Sequence, residues 1–195
     1  MEFGYWKIKG RAQAIRWLIS YTGLPIEEYN PQSREEWKAK KEELRILFPF
    51  PNLPYFYDKK KKVYITEIKA VFGQIAYLAN KPEMVGKCSR DKIEVDMLYG
   101  VISEIMSFYL EKSDKTAAMV SDSFEEDCNR FLMGKLHGLS RFLKKNEFFM
   151  VYLTIIDFQL AYLYDLFEFL CLKCELNHPW NPFPNLVSHQ ERVKN

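Results

Sequence analysis

Tyr5 and Trp6 stand where a short apolar stretch gives way to a helical pattern, and this junction is a place that can do chemistry. The sequence predicts a strand over Glu2–Ile8 and a helix over Arg11–Thr22. Such a junction brings a tyrosine hydroxyl to a helix N-terminus, where the helix dipole favours an anion. A thiolate is an anion of that kind, so Tyr5 is the first candidate for a catalytic side chain.

A proline turn and one helical face supply further candidates. Asn52, Leu53 and Pro54 lie between a predicted helix and a predicted hairpin, which indicates a turn, although most X–Pro bonds are trans. Trp37 and Lys41 are four residues apart and share one face of a predicted helix. Taken alone, that pair is typical of a tryptophan that covers a domain edge beside a solvated lysine.

The elements that must position these side chains alternate in type over the first 80 residues. Strands are predicted over 2–8, 26–29, 53–57 and 63–66, and helices over 11–22, 34–44 and 67–80. A βαβ unit followed by a ββα unit is the thioredoxin-like pattern. The sequence therefore predicts an α/β domain over residues 1–80.

An all-helical domain is predicted after a linker at residues 81–88, which contains both proline and glycine. Its helices are predicted over 90–111, 121–145 and 154–172. Thr154 and Asp157 have the spacing of a capping box at the start of the third helix. A segment rich in proline and asparagine, 178–185, leads to a short polar tail, so this domain spans 89–195.

Composition and charge exclude several classes of protein. The chain has 195 residues, 48% hydrophobic and 16% aromatic, which is enough for packed cores and argues against disorder. A formal net charge of +2 gives no electrostatic footprint for nucleic acid. The apolar stretch 148–172 carries too many polar side chains for a membrane span. Because Met1 leads directly into a strand, no signal peptide is expected, and the predicted location is cytoplasmic.

The cysteines have one arrangement that could be interpreted as a zinc site. Cys171 and Cys174 form a Cys-x-x-Cys pair with His178 and His189 downstream. Only one close pair is present, however, and Cys171 lies inside an apolar helical pattern. The prediction is reduced thiols and no metal.

Taken in order, the Tyr-Trp strand, the proline turn and the capping box resemble the cytosolic glutathione transferases, closest to the mu class and its flatworm relatives. The resemblance implies the glutathione transferase fold, a thioredoxin-like N-terminal domain with an all-α C-terminal domain. It implies glutathione as a substrate, no metal, and conjugation of the glutathione thiolate to small electrophiles. Tyr5 would then donate a hydrogen bond to the sulfur and lower a thiol pKa that is near ~8.5 in free cysteine.

The same resemblance implies a set of glutathione contacts. Leu53 would offer its backbone N–H and C=O to the cysteinyl part, aimed by a cis bond at Pro54. Trp37 and Lys41 would contact the glycyl carboxylate, and Glu67 would meet the γ-glutamyl ammonium. The full implied set is Trp6, Trp37, Lys41, Asn52, Leu53, Pro54, Glu67, Ile68 and Glu104.

Ile68 departs from the mu-class pattern, which has serine at the start of this helix. The serine hydroxyl binds the γ-glutamyl carboxylate, so Ile68 removes a charge-assisted donor worth about 1.5–3 kcal/mol, or roughly ten- to a hundredfold in affinity. The backbone N–H of Ile68 and the helix dipole remain, so we expect weakened binding rather than none. The sequence also stops soon after residues 183–186, short of the mu-class end, which predicts a second domain truncated at its C-terminal end.

Phe48 and Phe50 are the candidates for a dimer contact. Either one matches the aromatic key that mu-class subunits insert between two helices of a partner. The resemblance therefore implies a homodimer. Glu104 falls where an acidic side chain of one subunit reaches the γ-glutamyl ammonium bound by the other.

Three functions remain open at this stage. The first is a glutathione transferase with weakened affinity for glutathione, which the retained Tyr5, Trp37 and Pro54 favour. The second is a catalytically degenerate transferase fold that serves as a structural or interaction subunit of a larger protein assembly, which Ile68 and the shortened end favour. The third is a non-catalytic binder of hydrophobic small molecules in the cleft between the domains.

Overall fold

Two compact units make up the chain, Met1–Met84 and Val85–Asn195. The computed structural model describes residues 1–113 and 117–194. The first unit contains a mixed sheet with helices, and the elements of secondary structure in the described residues of the second are all helices. Each unit has its own set of buried apolar side chains.

The first unit is built on a four-stranded sheet in the order β2-β1-β3-β4. Its elements are β1 Glu2–Gly4, a 3-10 turn Gly10–Ala12, α1 Gln13–Thr22, β2 Glu27–Tyr29, α2 Arg34–Leu47, β3 Tyr55–Asp58, β4 Val63–Thr66 and α3 Ile68–Leu78. Strand β1 is parallel to β2 and antiparallel to β3, and β4 is antiparallel to β3. This topology confirms the thioredoxin-like prediction, and the lysine run forms the turn between β3 and β4.

Strand β1 is shorter than the sequence predicts, since it ends at Gly4 rather than near Ile8. Tyr5 and Trp6 therefore lie just beyond the strand, in a connection that reaches the 3-10 turn. Gly4 has a packing reason to be glycine, because a Cβ there would lie 2.1 Å from Cε1 of Tyr55. The Tyr55 ring thus lies against the backbone that directly precedes Tyr5.

The core of the first unit forms where α1 and α3 pack on the sheet. Each helix turns an apolar stripe inward, with residues three and four apart on one face. The side chains that are fully removed from solvent are Phe3, Ile15, Leu18, Tyr55, Phe56, Val71, Phe72 and Ile75. This packing holds the strand ends from which the candidate residues emerge.

The second unit contains helices from Ser89 onward. They are α4 Ser89–Ser113, α5 Ala117–Asp127, α6 Met133–Leu143, α7 Ile155–Cys174 and α8 Pro184–Lys194, with a π-helical turn Cys128–Leu132 between α5 and α6. The single helix predicted over 121–145 is thus interrupted by that turn. The C-terminal tail, for which the sequence predicts no helix, contains α8.

Helix α7 forms the centre of the second unit and begins at the predicted capping box. Oδ2 of Asp157 accepts from the backbone N–H of Thr154 at 2.7 Å and from its hydroxyl at 2.8 Å. Ile155, Leu163 and Phe167 are among the α7 side chains that are fully buried. None of the helices in the described ranges is both long enough and apolar enough to cross a membrane.

Candidate functional site

Three of the candidate segments lie together at one edge of the sheet, where the ends of β1, β3 and β4 are side by side. Gly4 of β1 pairs with Tyr55 of β3, and Tyr55 pairs in turn with Thr66 of β4. Tyr5 follows the first of these residues, Pro54 precedes the second and Glu67 follows the third. Because the three paired residues lie side by side in adjacent strands, Tyr5, Pro54 and Glu67 all leave the sheet at the same edge.

The Tyr5 side chain is held by a backbone donor. Its ring is 8% exposed, and its hydroxyl oxygen accepts a hydrogen bond from the backbone N–H of Arg11 at 3.1 Å. Arg11 lies in the 3-10 turn that precedes α1. Because the oxygen accepts this bond, the hydroxyl hydrogen is left to donate, and an N–H directed at the oxygen strengthens an O–H donor by polarising it.

Gly10 allows the close approach of Tyr5 to this turn. Its φ of +44° lies in the left-handed region, and a Cβ built on it would be 2.7 Å from the Tyr5 hydroxyl oxygen. Both features favour glycine, because a side chain here would be strained and would displace the phenol. The hydroxyl position thus depends on Gly10 as well as on Tyr5.

Two neighbouring tyrosines at this edge use their hydroxyls differently. Tyr55 donates to Oε1 of Glu2 at 2.7 Å, and Tyr29 donates to Oε1 of Glu36 at 2.7 Å. Burial and then the bond to Glu2 raise the pKa of Tyr55, while burial and then the bond to Glu36 raise the pKa of Tyr29 to about 12. Both hydroxyls are committed to carboxylates, whereas Tyr5 accepts a bond. Of Tyr5, Tyr29 and Tyr55, only Tyr5 therefore has a hydroxyl hydrogen left to donate in a hydrogen bond to a ligand.

The proline turn has the predicted geometry. The Leu53–Pro54 peptide bond is cis, Leu53 is half-buried, and Pro54 is buried immediately before β3. Asn52 is exposed. The backbone groups of Leu53 thus stand at the edge that Tyr5 shares.

Trp37 is joined to the same edge through an aromatic stack. Its ring lies nearly parallel to that of Tyr55, with 6.2 Å between centroids and 17° between planes. Helix α2, which carries it, begins at an N-cap where the Ser33 hydroxyl accepts from the backbone N–H of Glu36 at 3.0 Å. Lys41 lies one turn further along this helix and is half-buried. The structure therefore places the Trp37 and Lys41 face next to the start of β3.

Glu67 and Ile68 form the third part of the edge. Glu67 has φ 67° and ψ 125°, a sparsely populated backbone conformation for a residue other than glycine, which costs about 1–3 kcal/mol. Its side chain is exposed, and Ile68 opens α3 with a half-buried side chain. The first backbone N–H groups of a helix lack intrahelical acceptors and lie at its positive end, so this position can bind a carboxylate. Strain of this kind clusters at functional sites.

Arg16 is a residue at this edge that the sequence analysis missed. Its guanidinium binds backbone carbonyl oxygens of the connection after β1, including those of Trp6 at 3.0 Å and Ile8 at 2.7 Å. Trp6 itself is half-buried. Several of the hydrogen bonds that hold the connection therefore come from a side chain of α1, and no local pattern in the sequence predicts them.

The remaining predicted site residues lie elsewhere. Glu104 is on α4 in the second unit, where it is exposed and its Oε2 lies 2.5 Å from Nζ of Lys135. Phe48 stacks on Tyr64, with 4.2 Å between centroids, whereas Phe50 is 78% exposed. The two candidates for the dimer key thus differ, since only Phe50 presents most of its ring to solvent.

The residues considered as a zinc site serve other contacts. Cys171 donates to the carbonyl oxygen of Asn177 at 3.6 Å, and burial raises its pKa to about 12. His189 binds Asp157 at 2.8 Å. Across residues 1–113 and 117–194, no group of three or more histidine, cysteine, aspartate or glutamate side chains could hold a metal.

The sequences and structures of known proteins match this chain in both sequence and fold. The family model described as glutathione S-transferase, N-terminal domain, matches residues 1–72. Glutathione S-transferase class-mu 26 kDa isozyme from Schistosoma mansoni is 38% identical over 106 residues, covering 53% of this chain and 51% of the relative. In this match the chain spans about half the length of the relative.

Longer matches cover the whole chain. Glutathione S-transferase Mu 1 of Macaca fascicularis is 32% identical over 212 residues, covering 100% of this chain and 87% of the relative. The pi-class glutathione S-transferase structure from Onchocerca volvulus has a TM-score of 0.80 at 18% identity and covers 100% of this chain and 87% of that one. That structural likeness establishes the fold, and the full-length mu-class match establishes the family. The chain belongs to the glutathione S-transferase family, with mu-class homologues.

Proposed function

We propose that this protein transfers the thiolate of glutathione to small electrophiles, with Tyr5 as the catalytic residue. The observation that carries the proposal is the hydrogen bond from the Arg11 backbone N–H to the Tyr5 hydroxyl oxygen at 3.1 Å. That bond orients the hydroxyl and leaves its hydrogen for a ligand. A sulfur atom placed against it would be stabilised as thiolate.

The chemistry needs one proton and one electron pair to move. The glutathione thiol loses its proton to solvent, and the Tyr5 hydroxyl donates to the resulting thiolate without itself ionising. The sulfur lone pair then forms a bond to an electrophilic carbon. That carbon either expels a leaving group with its bonding electrons or passes the pair to a neighbouring atom, which takes up a proton.

The rest of the glutathione molecule would lie along the shared edge of the sheet. In this proposal the cysteinyl backbone pairs with Leu53, and the glycyl carboxylate meets Trp37 and Lys41. The γ-glutamyl carboxylate meets the N-terminus of α3, and its ammonium meets the exposed Glu67 carboxylate. Asn52 and Trp6 flank these contacts. Ile68 supplies a backbone N–H but no hydroxyl, so the proposed affinity is lower than a serine would give.

A cytoplasmic homodimer is part of the same proposal. The exposure of Phe50 and the match to full-length mu-class relatives support it. Glu104 of each copy would reach the glutathione bound by the other copy only after leaving Lys135, its present ion-pair partner. That exchange is a further reason to expect weak binding.

A structural or interaction role within a larger assembly is the second candidate function. Ile68 favours it, because a scaffold does not need the hydroxyl that the carboxylate contact would use. The two functions differ in one measurable property, which is whether the protein lowers the pKa of the glutathione thiol. A scaffold has no reason to do so.

Replacement of the Tyr5 hydroxyl tests the proposal. Titration calorimetry with reduced glutathione should give similar affinities for the wild type and Tyr5→Phe, because the phenol contacts only sulfur. Turnover with a small electrophile should fall by about 10²–10³-fold at neutral pH, as when one preorganised donor is removed. Tyr152→Phe makes the same chemical change in the second unit and should keep full turnover. Equal turnover in Tyr5→Phe and the wild type would remove Tyr5 from this role, and no binding by the wild type would favour the scaffold.

A further inference from the structure

One side chain of α1, Arg16, binds several backbone carbonyl oxygens of the connection between β1 and the 3-10 turn. Arg16 Nη1 donates to the carbonyl oxygen of Ile8 at 2.7 Å and lies 3.3 Å from that of Lys9. Arg16 Nη2 donates to the carbonyl oxygen of Trp6 at 3.0 Å. Three carbonyls within four consecutive residues therefore converge on a single guanidinium.

The opposite side of the same guanidinium is fixed by a carboxylate. Nε and Nη2 of Arg16 lie 2.8 Å and 2.6 Å from Oε1 of Glu28. The Arg16 and Glu28 side chains are 20% and 33% exposed, so the pair is partly shielded from water. A partly shielded pair with several hydrogen bonds keeps more of its strength than an exposed one.

Glu28 also ties this arrangement to Tyr5 through Asn30. Nδ2 of Asn30 donates to Oε1 of Glu28 at 2.9 Å and to the carbonyl oxygen of Tyr5 at 2.9 Å. The two hydrogens of one amide thus bridge the carboxylate and the Tyr5 backbone. Arg16 also lies over the Tyr5 ring, with its Cζ 5.8 Å from the ring centroid.

We infer that Arg16 is a positioning residue for thiol activation, which sets the Tyr5 hydroxyl by clamping the carbonyls of the connection that follows it. The inference rests on the proposed function. The hydroxyl meets the Arg11 N–H at the far end of this connection, so the length and shape of the connection determine where the two groups meet. That shape is fixed by Arg16 of α1, Glu28 of β2 and Asn30, which directly follows β2.

The planar fork of arginine is what the arrangement requires. A guanidinium has five N–H donors in a fixed plane, whereas a lysine ammonium is a compact point charge with three donors on a flexible stem. Arg16→Lys therefore keeps the charge beside Glu28 but cannot reach the carboxylate and three carbonyls together. The variant separates the geometry of the clamp from its charge.

The predicted defect is in activation rather than in binding. The glutathione contacts proposed for Trp37, Lys41 and Leu53 lie on elements that Arg16 does not touch through these hydrogen bonds. Arg16 binds Trp6 only at its backbone carbonyl oxygen and not at its side chain. A looser connection moves the Tyr5 hydroxyl relative to the sulfur, and a weaker hydrogen bond stabilises the thiolate less. We therefore expect a changed thiol pKa at an unchanged affinity.

The experiment measures the pKa of bound glutathione by its ultraviolet thiolate absorbance as pH is varied, together with kcat and KM. In Arg16→Lys we expect the bound thiol pKa to rise by about one unit, which gives up to about tenfold less thiolate at neutral pH. The KM for glutathione should stay within about twofold, since KM reports binding where chemistry is slow. Arg45→Lys is the matched control, because Arg45 makes an exposed pair with Glu42 on α2, and it should leave both values unchanged.

A second variant covers the case in which Arg16→Lys does not fold. Glu28→Gln keeps an acceptor oxygen but removes the charge that anchors the guanidinium, so the thiol pKa should rise in the same direction by a smaller amount. If both fold, the double variant should be no worse than Arg16→Lys, because residues that act as one unit are not additive.

The outcomes distinguish the inference from the function on which it rests. A wild type that lowers the thiol pKa, with variants that lower it equally, contradicts the role of Arg16 and leaves the proposed function standing. A wild type that binds glutathione without lowering its thiol pKa contradicts both. A raised KM at an unchanged thiol pKa also contradicts the inference, because a positioning residue for Tyr5 should act on activation.

Discussion

Nε2 of His189 lies 2.8 Å from Oδ1 of Asp157, and both side chains are fully buried in the second unit. Asp157 is the capping-box residue of α7, and His189 lies on α8. The same Oδ1 accepts from the backbone N–H of Phe149 at 3.1 Å. One carboxylate thus joins the start of α7, the loop before it and the last described helix.

Asp157→Ala should destabilise the second unit far more than His189→Leu. Removal of the carboxylate leaves the Thr154 and Phe149 donors and the His189 ring buried without their acceptor, at a cost of about 3–5 kcal/mol. His189→Leu removes one donor and keeps an apolar volume, so we expect about 1 kcal/mol. Urea unfolding of both variants and the wild type gives the two differences. Equal costs would show that the carboxylate matters only through the imidazole.

Phe50→Ala should affect dimerisation, whereas Phe48→Ala should affect the stability of the fold. Phe50 is exposed, so Phe50→Ala should give monomers with little change in the free energy of unfolding. Phe48 stacks on Tyr64 and meets Tyr57 edge-on at 5.5 Å, so Phe48→Ala should cost about 1–3 kcal/mol of stability. Light scattering and urea unfolding separate these results. Phe50→Ala that stays dimeric would assign the key to another residue.

The order of strands and helices around the candidate site could be predicted from the sequence, whereas the end of β1 and helix α8 could not. The alternating pattern predicts the four strands, but it extends the first strand past Tyr5 to Ile8, and in the structure that strand ends at Gly4. Helix α8 lacks the apolar stripe that signals a helix, since one of its buried contacts is made by the polar His189. Its one available signal was Pro184 at the first helical position.

The Arg16 clamp shows a second limit of prediction from sequence. Its acceptors are backbone carbonyls, which are present at every position and leave no trace in residue type. Glu28 and Asn30 come from a different element, so their meeting with Arg16 depends on how β2 pairs with β1. The sequence predicts Tyr5 as a candidate for thiol activation but not the contacts that Arg16 makes with the connection after it.

The stability of the second unit should fall as the pH drops below about 6.5, partly through His178. Burial lowers the pKa of His178 below its ordinary value, against smaller opposing effects from the Tyr164 carbonyl and Glu168. A lowered folded-state pKa means that the unfolded chain binds the proton first, so this contribution is complete above the unfolded pKa and is lost as the pH falls through the folded one.

His178→Asn should reduce the loss of stability at low pH. The asparagine oxygen can replace Nδ1 as the acceptor for the Trp180 backbone N–H, which donates to Nδ1 at 3.1 Å in the wild type, and it does not titrate. Urea unfolding at pH 7.5 and at pH 5.5, about one unit either side of the ordinary histidine pKa, should give a smaller difference for the variant than for the wild type. An identical pH dependence would assign the loss to other groups.

Ile68→Ser should tighten glutathione binding by roughly ten- to a hundredfold, because a hydroxyl donor to a carboxylate contributes about 1.5–3 kcal/mol. The hydroxyl would join the backbone N–H at the start of α3, where the helix dipole already favours a carboxylate. Ile68→Ala is the matched control, since it removes the branched side chain without adding a donor. Titration calorimetry should therefore rank serine above alanine. If alanine tightens binding as much as serine does, crowding by Ile68 limits the affinity, and if neither variant changes it, the carboxylate does not bind at this helix.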